Sequence, residues 1–304
     1  MERVCLFEEV AIEGKGLGLR AVHDIPSGQV LLRESPCGFS LCPDLFARVC
    51  RGCCEICDEC FSHPVVCLCS SHYCSVACRE ADAVNHSGEC LLLQHFVLHR
   101  NEWSEIGSDD ETFLLCMMSL LDRRKSISNL SILDRAECDP SLEQLLDLAT
   151  RLCGIVGMAR PPTLAEWTLL CQQEQNNSFG LFDASDFQDD LYCFGRAVYE
   201  RASRFNHSCL PNVTRLRTGR AMVFVTSRPV KAGEELCITY TSLGLEKENR
   251  QTSLGNDYGF ICNCVRCLDP EDPPFPVCDR CGGETLNGLC VHHERKSLLE
   301  MYKQ

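Results

Sequence analysis

A chain of 304 residues, 45% hydrophobic and 24% charged, has room for a sizeable core and for two or three domains. Its net charge of −14 argues against non-specific DNA binding, which relies on Lys and Arg to neutralise phosphates, and suits lysine-rich peptide partners. Twenty-six cysteines, with no secretory h-region in residues 1–25 and no apolar run of membrane-spanning length, argue against a secreted disulfide framework and predict a reduced, metal-binding chain of the cytoplasm or nucleus.

Residues 3–40 predict short strands and turns, with a glycine-permitted turn at Gly14-Lys15-Gly16-Leu17-Gly18 and a strand at Val30-Leu31-Leu32. Residues 54–90 are dense in metal-type ligands. From 91 to 176 the apolar spacing turns helical: Phe113 to Leu121, then Leu142, Leu145, Leu146, Ala149 and Leu152 behind Pro140-Ser141, with Gln144 completing a capping box. Thr163 and Glu166 form a second box ahead of Trp167, Leu169 and Leu170. Strands dominate from 178 to 241, clearest at Met222–Val225 and Leu236–Tyr240, while the apolar stretch Ala197 to Phe205 reads as helix-like. Four prolines between Asp269 and Pro276 read as a linker.

Three cysteine clusters carry the chemistry. The first, Cys57, Cys60, Cys67, Cys69, Cys74, Cys78, His86 and Cys90, supplies ligands for two tetrahedral zinc sites, and a segment this short needs metal to fold. Cys54 is an alternative to Cys60 in the leading pair, and Cys50 and Cys53 are then spare thiols. The second cluster, Cys262, Cys264 and Cys267, lacks one ligand, and the distant Cys209 is the candidate for it. The third, Cys278, Cys281 and Cys290, is followed by His292 and His293; a fourth zinc at Cys278, Cys281, Cys290 and His292 competes with a disordered thiol-rich tail. Cys209 sits in Asn206-His207-Ser208-Cys209-Leu210-Pro211-Asn212, a polar run that must be satisfied by backbone, metal or ligand if buried.

The order of ligands around Tyr73-Cys74-Ser75, ending in His-x3-Cys, resembles the MYND zinc finger, apart from Cys67-Leu68-Cys69, which is one residue shorter than usual. In that family the sites interleave, which implies Cys57, Cys60, Cys74 and Cys78 at one zinc and Cys67, Cys69, His86 and Cys90 at the other. With Gly14 to Arg20, Asn206 to Asn212, Gly233 to Tyr240 and Tyr258 to Cys264 in order, the chain resembles the SET-and-MYND protein-lysine methyltransferases over about residues 3–267.

That resemblance implies an α+β fold: a SET-domain β-fold with a pseudoknot, interrupted by a MYND finger and a helical insert and followed by a cysteine-rich post-SET segment. The boundaries expected are 1–50 and 177–245 for the split SET core, 54–90 for the finger, 91–176 for the insert, 246–268 for the post-SET segment and 269–304 for the linker and tail. It further implies S-adenosylmethionine as cofactor, held by Lys15, Gly16, Leu17, Gly18, Asn177, Asn206, His207, Tyr240 and Phe260. Tyr240 is the expected catalytic phenol and Tyr258 lines the lysine channel; Ser208 and Asn212 pin the pseudoknot. The partners implied are a lysine-bearing protein, histone or other, and proline-rich peptides at the finger. DNA binding is not expected there, because Glu55, Asp58, Glu59, Glu80, Asp82 and Glu89 face only Arg79; a monomer off the membrane is expected. The family often has Arg where Leu17 stands. Many members also carry a C-terminal helical domain beyond the point where this sequence stops, which implies a more open cleft or one closed by a partner. The competing classes are a catalytically weak adaptor and a metal-storage protein; the latter leaves Tyr240 and the Asn206 run unexplained.

Overall fold

The computed structural model describes residues 5–56, 64–103, 106–122, 130, 141–157, 160–184 and 191–302. In chain order the elements are β1 (Phe7–Ile12), β2 (Gly16–Ala21), β3 (Val30–Glu34), β4 (Gly38–Leu41), β5 (Val65–Val66), β6 (His72–Tyr73), α1 (Val76–His99), α2 (Ser108–Asp122), α3 (Ser141–Ile155) and α4 (Leu164–Asn177). They continue with β7 (Ser178–Ala184), β8 (Leu191–Val198), β9 (Asn206–His207), β10 (Val213–Thr218), β11 (Ala221–Thr226), β12 (Glu235–Ile238), α5 (Lys247–Tyr258), α6 (Val265–Leu268), β13 (Thr285–Leu286), β14 (Leu289–Cys290) and α7 (Arg295–Met301). Two compact units result, one formed by residues 1–35, 182–192 and 201–304, the other by 36–181 and 193–200. No described helix is long and apolar enough to cross a membrane.

The first unit holds two larger sheets and the two-stranded β13-β14. One larger sheet has the order β1-β2-β12-β9, the other β10-β11-β3. Gly14 and Gly16, at φ +73° and +77°, turn the chain between β1 and β2, a backbone conformation that costs a glycine least. β12 pairs antiparallel with β2, Leu236 opposite Leu19, and parallel with β9, Cys237 opposite Asn206 and Ile238 opposite His207. Asn212 locks this crossing. Its Oδ1 accepts from Cys237 N (2.8 Å), and its Nδ2 donates to Glu235 O (2.8 Å) and Glu234 Oε1 (3.1 Å). His207, Cys209 and Asn212 of the run are buried, and Asn212 has its hydrogen bonds made, as a buried polar group requires. Ser208 acts more locally than expected: its Oγ accepts from Leu210 N at 3.0 Å, while its backbone N–H donates to Ile238 O. Phe205 stacks on Phe224 at 4.7 Å beneath the motif.

Ala197 to Phe205 is not a helix. Its start ends β8, and only Ala202–Arg204 makes a 3-10 turn. A short apolar run cannot separate a buried strand from a helix by periodicity alone.

The second unit contains the helices α1 to α4, the finger, β4 and the larger part of β7 and β8. Its core includes Phe96, Leu114, Leu120, Leu152 and Trp167, each fully buried; burial of such a side chain contributes about 1.5–3 kcal/mol. Gly38 on β4 lets Leu120 of α2 approach to where a Cβ would be 2.5 Å away. The capping box that opens α4 is formed in both directions, Thr163 Oγ1 accepting from Glu166 N and the Glu166 carboxylate accepting from Thr163 N. Ser141 already lies inside α3, and its side chain falls outside the described residues.

Candidate cofactor and metal sites

Asn206 and His207 present different faces. Asn206 Nδ2 donates to Glu235 Oε1 (2.9 Å) and to Leu17 O (3.3 Å). A carboxylate only accepts, so Glu235 fixes the amide orientation and leaves Asn206 Oδ1 without a protein donor among the described residues. Lys15 Nζ sits on the other carboxylate oxygen at 2.7 Å. Burial works to lower the Lys15 pKa, but its bond to Glu235 prevails and the ammonium is held charged above its usual value. Gly18 has a packing reason beyond the turn: a Cβ there would lie 2.6 Å from Asn206 Nδ2. Leu17 is exposed.

His207 is buried, and desolvation pushes its pKa down to about 4. The neutral ring accepts from Tyr240 N at Nδ1 (3.0 Å), so its proton lies on Nε2, 3.2 Å from Cys209 Sγ. One imidazole thus links a thiol of the second cluster to the backbone of Tyr240.

Tyr240 follows β12, and its Oη donates to Phe205 O at 2.7 Å. Its ring lies 4.8 Å from Tyr258, 5.4 Å from His207 and 6.4 Å from Phe260. Burial raises the Tyr240 pKa well above the phenol range, so it stays neutral at physiological pH. Tyr258 ends α5, and Gly259 at φ +73° caps that helix, bringing Phe260 N back toward Leu254 O. Gln251 of α5 then clamps Cys262 twice, Nε2 donating to its carbonyl and Oε1 accepting from its N–H.

Asn177 lies in the other unit at the end of α4, where its Nδ2 donates to Gln173 O at 2.7 Å.

Four clusters of ligand atoms have all members within 4.8 Å of one another. A tetrahedral zinc with about 2.3 Å Zn–S bonds places its sulfurs about 3.8 Å apart. Cys209 Sγ to Cys267 Sγ is 3.5 Å, and Cys262 and Cys264 complete that set. Cys67, Cys69, His86 and Cys90 gather as the interleaved pattern implies, with Cys67 to Cys90 at 3.5 Å and His86 Nε2 at 3.3 Å from Cys67 and 3.4 Å from Cys69. These separations fit zinc and exclude disulfides, whose sulfurs lie about 2 Å apart. None of the described cysteines is in a disulfide.

The remaining finger cluster among the described residues has a different leading pair from the one expected. Cys50 and Cys53 are not spare: they join Cys74 and Cys78, with 3.8 Å between Cys53 and Cys74 and 3.4 Å between Cys74 and Cys78. Cys57 and Cys60, the pair expected there, lie outside the described residues. Gly52 permits the approach, since a Cβ there would meet Cys78 O at 2.5 Å. Cys54 carries a backbone role instead, at φ +54° immediately after the pair. The fourth cluster, Cys278, Cys281, Cys290 and His293, uses His293 rather than His292.

Charge is also redistributed. Asp82 and Glu89 are buried against Arg51, with Tyr73 Oη donating to Asp82 and Ser119 to Glu89. They no longer count toward an acidic finger surface, and Asp58 and Glu59 lie outside the described residues.

The SET domain profile matches residues 16–241, most of the chain. The chain belongs to the SET domain family. Its curated relatives include the potential protein lysine methyltransferase SET6 of Saccharomyces cerevisiae, 40% identical over 31% of this chain and 26% of the relative. They also include the histone-lysine N-methyltransferase SMYD3 of Mus musculus, 25% identical over 86% of this chain and 61% of the relative. A SET and MYND domain-containing protein of Dictyostelium discoideum is 35% identical over 34% of this chain and 24% of its own length. This SET chain therefore spans less than two thirds of each of these relatives.

Residues that the sequence did not single out stand beside the site. Glu235 orients Asn206. Arg250, fully buried, donates to both oxygens of Asp272 and reaches Cys267 Sγ at 4.0 Å; Arg266 donates to Leu243 O and Pro273 O. The proline-rich segment from Asp269 is thus tied down at Asp272 rather than being a free spacer. Only the doubling of acidic residues in Gly233-Glu234-Glu235 hinted at the first of these roles, and nothing local announces the second.

Proposed function

We propose that the chain is an S-adenosylmethionine-dependent protein-lysine N-methyltransferase. The observation that carries this reading is the convergence of Asn206 and His207 with Tyr240, Tyr258 and Phe260 in one unit of a SET-family protein. The cofactor, when bound, supplies a sulfonium-bound methyl group. The residues fit it: Asn206 Oδ1, held outward by Glu235, is an acceptor for an ammonium, and Phe260 offers an aromatic face to a purine.

The chain's own part is orientation and desolvation. A lysine amine must be neutral to attack, and its solution pKa is near 10.4. A channel lined by Tyr240 and Tyr258 removes water and lowers that value. Tyr240, neutral and anchored through Phe205 O, is a poor base and acts as a fixed dipole beside developing charge. His207 holds the Tyr240 backbone in place.

Three zinc ions are proposed, at Cys50, Cys53, Cys74 and Cys78, at Cys67, Cys69, His86 and Cys90, and at Cys209, Cys262, Cys264 and Cys267. The proposed substrate is a lysine-bearing protein, histone or other, with proline-rich peptides as finger ligands, acting as a monomer in the cytoplasm or nucleus.

The test is radiolabelled methyl transfer to histones and to lysate proteins. Wild type labels lysine in at least one protein, and Tyr240→Phe lowers the rate about 100- to 1000-fold, the cost of losing one preorganised transition-state dipole. Unchanged turnover in Tyr240→Phe contradicts the assigned role. A wild type that labels nothing contradicts the activity.

A further inference from the structure

Three Cys-x-Cys or Cys-x2-Cys pairs outside the second cluster share, among the described residues, a backbone device that their spacing does not reveal. At Cys50-x2-Cys53, Cys50 N donates to Glu55 O and Cys54 N to Cys50 O, with Cys54 left-handed and Val49 bridged to Ile56. At Cys278-x2-Cys281, Cys278 N donates to Gly283 O and Gly282 N to Cys278 O, with Gly282 left-handed at φ +64° and Val277 bridged to Glu284. The two patterns match bond for bond. Cys67-x-Cys69 is the same turn one residue shorter: Cys67 N donates to Ser71 O, Ser70 N to Cys67 O, and Ser70 is left-handed at φ +62°. In each, a reversed residue follows the second thiol, and the two sulfurs lie within 4.8 Å of one another.

The C-terminal copy is completed by two further ligands. Asn287 and Gly288, both at positive φ, make the tight turn between β13 and β14 that such a pair favours, and β14 delivers Cys290. Cys281 Sγ lies 3.6 Å from Cys290 Sγ. His293 Nδ1 lies 3.5 Å from Cys278 Sγ and 3.8 Å from Cys281 Sγ. His292 takes a different place: its ring packs where a Cβ on Gly283 would be 2.5 Å away, and its backbone N–H donates to Cys290 Sγ. Three soft thiolates with one imidazole in tetrahedral reach suit zinc.

The segment cannot hold itself. It has two two-residue strands and one short helix, too little to fold unaided. It lies on the β10-β11-β3 sheet, where Leu286, Val291, Leu298 and Tyr302 cover Leu216, Val223 and Val225. Its edges are tied by Arg33 to Tyr302 O and by Arg295 to Asp183 and Arg217 O.

We infer that Cys278, Cys281, Cys290 and His293 bind a fourth zinc ion, and that this ion fastens the C-terminal segment over the apolar face of the SET sheet. The experiment is metal content of the full chain by atomic emission, paired with amide hydrogen exchange. His293→Ala is expected to lower the content by one ion per chain and to raise exchange at least tenfold in β13, β14 and α7, while His292→Gln keeps the wild-type count. Where His293→Ala is poorly soluble, cobalt-loaded wild type gives the second reading: alkylation-protected Cys278, Cys281 and Cys290 are expected with the metal, and their protection is lost on its removal. An unchanged count in His293→Ala, an equal fall in His292→Gln, or free reactivity of these three thiols in the metal-loaded chain overturns the inference.

Discussion

Two of the cysteine clusters in this chain are built on opposite plans. Cys50, Cys53, Cys74 and Cys78 come from one turn and one helix start close in sequence, so a metal bound there would organise its own neighbourhood. Cys209 and Cys262, Cys264 and Cys267 come from distant segments, and a metal bound there would join them. Through His207 the second cluster also reaches the Tyr240 backbone, and through Gln251 and Gly259 the position of Phe260. The difference teaches that a thiol cluster near a site can be part of the site's framework when its ligands are long-range, and a local scaffold when they are not.

The sharpest way to break the comparison is to remove one thiol from each. Cys50→Ser is expected to lose one zinc and the exchange protection of residues 64–90, because structural zinc contributes about 10–16 kcal/mol of binding free energy to folding. Cys57→Ser is expected to lose none. Cys209→Ser is expected to lose one ion and, unlike Cys50→Ser, the protection of residues 206–212. Metal loss on Cys57→Ser, or a Cys209→Ser chain with a full metal count, would undo the two assignments.

A smaller effect is expected beside the long-range cluster. Asp272 is held below the usual carboxylate range by Arg250. Arg250 is fully buried, while Asp272 is partly exposed and shared with Arg266, so the about 3–5 kcal/mol cost of breaking a fully buried pair is the upper bound on the stability Arg250→Leu should lose in urea unfolding. A loss below about 1 kcal/mol would show that Arg250 does not support the cluster.

The smallest effect concerns Glu284, buried against Thr214, whose carboxyl is pushed up from 4.5 to about 7 by desolvation. A raised carboxyl binds its proton more tightly in the folded chain. Stability from this group is full below the unfolded value and declines as pH rises to about 7, by up to about 3 kcal/mol. Glu284→Gln should therefore raise Tm at pH 8 and leave it nearly unchanged at pH 5. An equal gain at both pH values contradicts the burial argument.

The parts of the molecule that sequence made readable are those whose information is local. The turn at Gly14 and Gly16, the capping box at Thr163 and the strand at Met222–Val225 follow from short patterns. The association of Cys209 with the later thiols was also readable, since three ligands leave one position open. The leading finger pair was not. Cys50, Cys53, Cys54, Cys57 and Cys60 overlap in equal spacings, and spacing does not reveal that Cys50-x2-Cys53 is followed by a reversed residue and a bridged strand. The same cause hid His293 behind His292. Asp82 and Glu89 looked solvent-facing because their partner Arg51 stands before the finger's assumed start, and Asp272 looked like linker because Arg250 lies a helix away.

The central claim is that the first unit binds S-adenosylmethionine through Asn206 and neighbouring residues. Isothermal titration of the cofactor into the zinc-loaded chain tests it most directly. One molecule bound per chain is predicted, with Asn206→Ala weakening affinity at least tenfold. A zinc-loaded wild type that takes up no cofactor would contradict the account and leave a SET scaffold working as an adaptor.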